Sequence, residues 1–183
     1  YDKIPAYDIH ELIIKSSAEL ISDHTPNYQF VAARLISYKL RKEVYNQYKP
    51  WHIRKLIGKT IKRGIYDKAI LKYYSNDEFN IINNYIKHDR DNTFTYAGME
   101  QFRGKYLVQV LSKNEIYETP QMLYMMIALT LFEKSNIEKN GKVDWARMKW
   151  VKDFYDAISQ FYISLPTPIM AGVRTPTRQF SSC

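Results

Sequence analysis

The chain has 183 residues, 45% hydrophobic and 15% aromatic, which is enough apolar side chain to pack one domain or two small ones and excludes a disordered segment. Its formal charge of +8 and isoelectric point near 9.4 admit a polyanionic partner. The basic residues are spread along the chain, with local clusters only at Arg41-Lys42 and at Lys59, Lys62 and Arg63, so a solvated basic surface is the simpler account.

In chain order, Asp8 and Glu11 have the spacing of a capping box, and Ile9, Leu12, Ile13, Ala18, Leu20 and Ile21 follow at helical intervals. A first helix is therefore expected to end near Asp23 and His24. Thr25-Pro26 predicts a second start, a hydroxyl cap followed by a proline whose missing N–H costs nothing in a first turn. Tyr28, Val31, Leu35, Tyr38 and Tyr45 are expected on or near the buried stripe of the long helix that follows.

Pro50 breaks that helix, and another is expected from Trp51 to about Lys62, closed by Gly64. Ser75 and Glu78 repeat the capping-box spacing ahead of Phe79, Ile82 and Ile86. Two β-prone runs, Lys105 to Val110 and Glu115 to Glu118, flank the polar Ser112-Lys113-Asn114 and predict a hairpin. Thr119-Pro120 opens a helix whose run from Met122 to Phe132 is so apolar that it must be buried nearly all round. Glu133 to Lys142 reads as a loop, and Val143 to Phe161 as a helix with Trp150, Phe154 and Ile158 at four-residue spacing. Beyond Tyr162, Pro166, Pro168 and Pro176 interrupt any helix, while Ile163, Leu165, Ile169 and Val173 suit extended structure.

Cys183 is the one cysteine, so no internal disulfide can form and a reducing, cytoplasmic setting is expected. No apolar run is long enough to span a membrane, and no secretory or transit segment is recognisable. A chain that starts at Tyr1 and stops at Cys183 reads as a fragment. His24, His52 and His88 are isolated, and no Cys or His pair has ligand spacing, so no metal is expected. The charged run Lys87 to Asp91 suits an ion-pair cluster at a helix end better than an acid–base site. Met122, Met125 and Met126 suit core packing.

The stretch from Ser164 to Cys183, SLPTPIMAGVRTPTRQFSSC, combines hydroxyls, two arginines and a terminal thiol. Hydroxyls, backbone N–H groups and guanidinium forks can hold phosphate oxygens, and a thiol can do redox chemistry. The plain alternative is a proline-stiffened loop feeding an ordinary strand with a buried cysteine.

That stretch resembles, nearly residue for residue, the segment entering the catalytic barrel of class I ribonucleotide reductase large subunits, with a bacteriophage flavour. The similarity extends to Lys87-His88-Asp89-Arg90-Asp91, Gly104-Lys105-Tyr106-Leu107-Val108, Glu115-Ile116-Tyr117-Glu118 and Phe154-Tyr155-Asp156-Ala157. The resemblance implies a mainly α fold in three parts. Residues 1–49 would be the carboxyl-terminal half of an ATP-cone, 50–162 a helical domain, and 163–183 the first strand region of a ten-stranded α/β barrel.

It further implies that Cys183 is one of a redox cysteine pair that supplies reducing equivalents as the ribose 2′-hydroxyl leaves as water. Thr167 and Ser182 would help hold the substrate. His10 and Lys42 would lie near effector phosphates, whereas Ala6 and Lys39 stand where other members can carry a threonine and a histidine. Arg174 and Arg178 suit structural pairing better than phosphate binding. Implied partners are the small subunit with its diiron centre and tyrosyl radical, the complementary carboxyl-terminal part of the large subunit, and thioredoxin or glutaredoxin. Nucleotide substrates and ATP or dNTP effectors complete the set. The chain itself would carry no cofactor, would reside in the cytoplasm (the host's if phage-encoded), and alone would be inactive. The competing reading is a basic helical module that binds nucleic acid or protein without a catalytic role.

Overall fold

A computed structural model describes residues 5–110, 112, 115–135 and 143–178. Helices dominate: α1 (Ala6–Glu19), α2 (Tyr28–Tyr45), α3 (Ile53–Lys62), α4 (Ile70–Tyr73), α5 (Asn76–Tyr85), α6 (Tyr96–Gln101), α7 (Pro120–Leu131), α8 (Trp145–Ser159) and α9 (Thr167–Gly172). A 3₁₀ segment covers His88–Thr93 and a π-helical turn covers Phe102–Tyr106. Strands β1 (Gln109–Val110) and β2 (Glu115–Ile116) pair antiparallel, with Gln109 opposite Ile116 and Val110 opposite Glu115. The expected hairpin is therefore present. It is shorter than its β-prone runs, because Phe102 packs edge-on against Phe94 at 4.8 Å and Tyr106 at 5.4 Å and holds that stretch helical.

The chain folds as two compact units, one of residues 1–50 with 89–119, the other of 51–88 with 120–183. In the first, α1 packs on α2, and α2 on α6 and β2. The buried face of α2 is Ala32, Ala33, Ile36, Ser37, Lys39, Leu40, Val44 and Tyr45. The expected stripe was rotated from this, since Val31 and Tyr38 are 41% and 56% exposed; the small Ala32 and Ala33 let a neighbouring helix approach where larger side chains would hold it off. Tyr45 shares a 2.8 Å hydrogen bond with Thr119, and burial raises its phenol well above the ordinary range.

The start of α1 also differs from expectation. Pro5 is its N-cap and no side chain caps it. Glu11 instead pairs with Lys39 and Arg103, because two long-range cations offer a carboxylate more than one exposed N–H does. Thr25-Pro26 does not open α2 directly: Asn27 is the N-cap, and the Thr25 hydroxyl bonds to Ser22 within the preceding turn. Asp91 is buried and pairs with Arg41 at 3.7 Å, so the acidic end of the Lys87 to Asp91 run is structural.

In the second unit, α3 ends as its sequence predicts, with Gly64 at φ +71°. The Ser75–Glu78 capping box is formed in both directions. Every residue of α7 from Pro120 to Thr130 is buried, against α8 and α9. The buried face of α8 is Arg147, Met148, Val151, Tyr155 and Ile158, whereas Trp150 lies at its margin, against Phe132. The extended structure expected beyond Tyr162 gives way to a helix at Thr167–Gly172. Pro166 and Pro168 sit at its N-cap and in its first turn, where a missing N–H breaks nothing, so the prolines start this helix instead of preventing one.

Candidate functional site

The second unit holds the described part of the stretch from Ser164 to Cys183. Thr167 is the first residue of α9 and is exposed. Three residues beyond α9's Gly172, the Thr175 hydroxyl donates back to the Gly172 carbonyl at 2.7 Å and meets Thr177 at 2.8 Å. Arg174 is buried and donates to the Met170 carbonyl at 2.6 Å, while its own carbonyl accepts from the Asp67 N–H at 3.0 Å. Arg178 then spans two carboxylates. Its Nε donates to Asp67 Oδ2 at 2.6 Å, and Nη1 and Nη2 donate to Glu133 Oε1 and Oε2 at 2.6 and 3.2 Å.

The electrostatics follow from this geometry. The Ala69 N–H bonded to Asp67, with Arg178 beside it, holds the Asp67 carboxyl below its ordinary value of 3.8 despite some desolvation. Glu133 pushes the Arg178 guanidinium further towards permanent charge, and Asp67 adds to it. Neither arginine of the motif is thus presented to a phosphate: Arg174 is spent on a carbonyl and Arg178 on carboxylates, in agreement with the expected structural pairing. Asp67 and Glu133 are contributors that the sequence reading did not name. Glu133 carried one signal, an acid just past the carboxyl end of an apolar helix, where the helix dipole disfavours negative charge unless a cation answers it.

Glu133 is itself held from behind. Its carbonyl accepts from Arg147 Nη1 at 3.3 Å, and Arg147 Nη2 donates to the buried Glu78 at 2.6 Å. Glu78 Oε2 accepts the Ser75 N–H at 2.8 Å, and the Arg147 guanidinium lies 4.4 Å over the Tyr74 ring.

The first unit holds the other candidates. His10 is half-buried on α1; Lys42 is exposed near the end of α2, its ammonium 5.6 Å above the Tyr48 ring. Lys39, one turn before Lys42, is buried and held by Glu11 and, at 3.5 Å, by Glu43. An open cleft of about 380 Å³ lies beside this cluster, with Glu11, Lys15, Glu100 and Arg103 on its walls. Both signs of charge line it, and Arg103 pairs with Glu11 at 3.4 Å and with Glu100 at 3.5 Å. Lys42 is an exposed ammonium one turn from the Lys39 ammonium, which two carboxylates neutralise.

Of the residues singled out from sequence, Thr167, His10 and Lys42 are thus placed, the first in one unit and the other two in the other. Ser182 and Cys183 lie outside the described residues. Among the described residues there is no group of three or more His, Cys, Asp or Glu able to hold a metal ion, and no helix long and apolar enough to cross a membrane.

Residues 92–178 match the family model of the ribonucleotide reductase all-alpha domain. Over its whole length the chain is 50% identical to the ribonucleoside-diphosphate reductase 1 subunit alpha of Escherichia coli, covering 23% of that protein. It is 44% identical to the subunit alpha of Enterobacteria phage T4, covering 24%, and 31% identical to that of Helicobacter pylori, covering 21%. The chain therefore spans about a quarter of the length of the curated relatives it matches.

Proposed function

Because the chain belongs to the ribonucleotide reductase large-subunit family and carries its all-alpha amino-terminal domain, we propose that it is part of a ribonucleoside-diphosphate reductase alpha subunit that converts ribonucleotides to deoxyribonucleotides. The observation that carries this reading is 50% identity over all 183 residues to the Escherichia coli subunit alpha. The chain's three-part division into a partial cone, a helical domain and the first strand region of a barrel belongs to the same reading.

In this proposal Cys183 is one thiol of a redox pair. As the 2′-hydroxyl leaves as water, two thiols give up two electrons and two protons and become a disulfide, which thioredoxin or glutaredoxin then reduces. Cys183 supplies half of that chemistry, and a second cysteine of the complete subunit supplies the other half. Thr167 and Ser182 bind substrate. The exposure of Thr167 suits this role, since a buried and satisfied residue has nothing left to offer a ligand. The radical comes from a small subunit with a diiron–tyrosyl centre. His10 and Lys42 are effector contacts only together with segments supplied by the rest of the subunit. The setting is cytoplasmic, consistent with a thiol that must stay reducible.

The test is Cys183→Ser in the complete alpha subunit, assayed with the small subunit. Thioredoxin-driven turnover is expected to vanish, because a hydroxyl cannot form the disulfide. Normal thioredoxin-driven turnover by that variant would overturn the assignment.

A further inference from the structure

The Arg178 cluster does more than neutralise charge. Arg178 has φ +43°, in the left-handed region that a residue with a Cβ occupies only when its surroundings hold it there. What holds it is a three-point clamp, with the guanidinium fork closed on Glu133 and its Nε on Asp67. Such a fork fixes direction as well as position, which a lysine ammonium cannot do.

Each anchor of the clamp is itself immobilised. Glu133 is 3% exposed, and its carbonyl is bound by the buried Arg147. Asp67 is held on its other oxygen by the Ala69 N–H at 2.8 Å, and through its own N–H by the Arg174 carbonyl at 3.0 Å. The segment is also gripped upstream, where Arg174 closes on Met170 at 2.6 Å. The Arg178 guanidinium and the Arg174 carbonyl therefore tie residues 170–178 to the chain at Asp67 and Glu133. Ser182 is four residues further along the chain and Cys183 five.

We propose that Arg178 is a positioning residue for ribonucleotide reduction: its guanidinium, clamped by Asp67 and Glu133, sets the direction in which the chain departs towards Ser182 and Cys183. This rests on the functional reading given above. Arg178 acts through the backbone it orients. A thiol that must reach both a ribose carbon and a partner sulfur is sensitive to the placement of its backbone, and a displacement of the order of 1 Å at a reacting group costs about a hundredfold in rate.

The experiment uses the complete alpha subunit with its small subunit, as Arg178→Lys, Arg178→Gln and Glu133→Gln, measuring kcat, KM for the ribonucleotide, and Tm. Arg178→Lys keeps the charge and loses the fork. A drop in its kcat of about ten- to a hundredfold is expected, with KM and Tm close to wild type. Arg178→Gln should fall further, and the double variant Arg178→Lys with Glu133→Gln no further than the worse single one, since both break one clamp. Wild-type kcat in both Arg178 variants would overturn the proposal, as would a loss of kcat fully matched by loss of folded protein in thermal melts. A complete wild-type subunit that turned over no ribonucleotide would take down the functional reading and this proposal together. A wild type that turns over, with Arg178 variants its equal, would remove the clamp alone.

Discussion

Arg147 is 3% exposed, yet its guanidinium meets the Glu78 carboxylate, the Glu133 carbonyl and the Tyr74 ring. Taking such an ion out of water is costly, and only these partners offset the desolvation. Removing one partner should therefore hurt more than the pair's net contribution suggests. Glu78→Ala is expected to destabilise the fold by about 3–5 kcal/mol, because it leaves a buried cation unanswered. Chemical denaturation checks this, with Lys149→Ala as the control. That side chain pairs with Asp153 but is 73% exposed, and its loss should cost less than about 1 kcal/mol. Half of the Glu78 site was legible in advance, since Ser75 and Glu78 are three residues apart and a capping box is local. The other half was not: Arg147 lies 69 residues away in the chain, and nothing in its own neighbourhood announces its partner.

Among the elements, legibility followed the same rule of range. The burial of α7 could be read from its apolar run alone, because a helix with no polar face has no side to turn to water. The end of α3 could be read from Gly64, whose φ of +71° is a backbone requirement of that position. Gly64→Ala is expected to cost about 1–2 kcal/mol. The added Cβ would meet nothing within 4 Å, so the penalty is purely conformational, and it should appear as a lower Tm with no change in the slope of denaturant unfolding. The expectations that failed were decided by neighbours. The face of α2 turned because Ala32 and Ala33 admit a packed helix. The capping box at Asp8 was abandoned because Glu11 met Lys39 and Arg103. The segment after Tyr162 became α9 because prolines at a helix start are neutral, and α9 packs against the buried α7.

For the molecule as a whole, each compact unit is assembled from two stretches of chain that are separated in sequence. A reading that moves along the chain finds the elements but has no means to pair residues 1–50 with 89–119. The chain as given is expected to reduce no ribonucleotide. The balanced reaction needs two thiols and a radical, and the chain has a single sulfhydryl. An assay of the chain alone, beside one supplemented with the remainder of the alpha subunit and the small subunit, should show deoxyribonucleotide only in the second.

The residues by themselves determined where α3 ends, where α5 and α7 begin, and that α7 is core. These are matters of composition and of spacings within one or two turns. The tertiary structure alone decided that the buried Arg147 answers Glu78, which face of α2 is inside, and that Arg178 closes on Asp67 and Glu133. The arginine choices compare partners 45 to 111 residues apart, and their energies exist only once folding has removed the water between them.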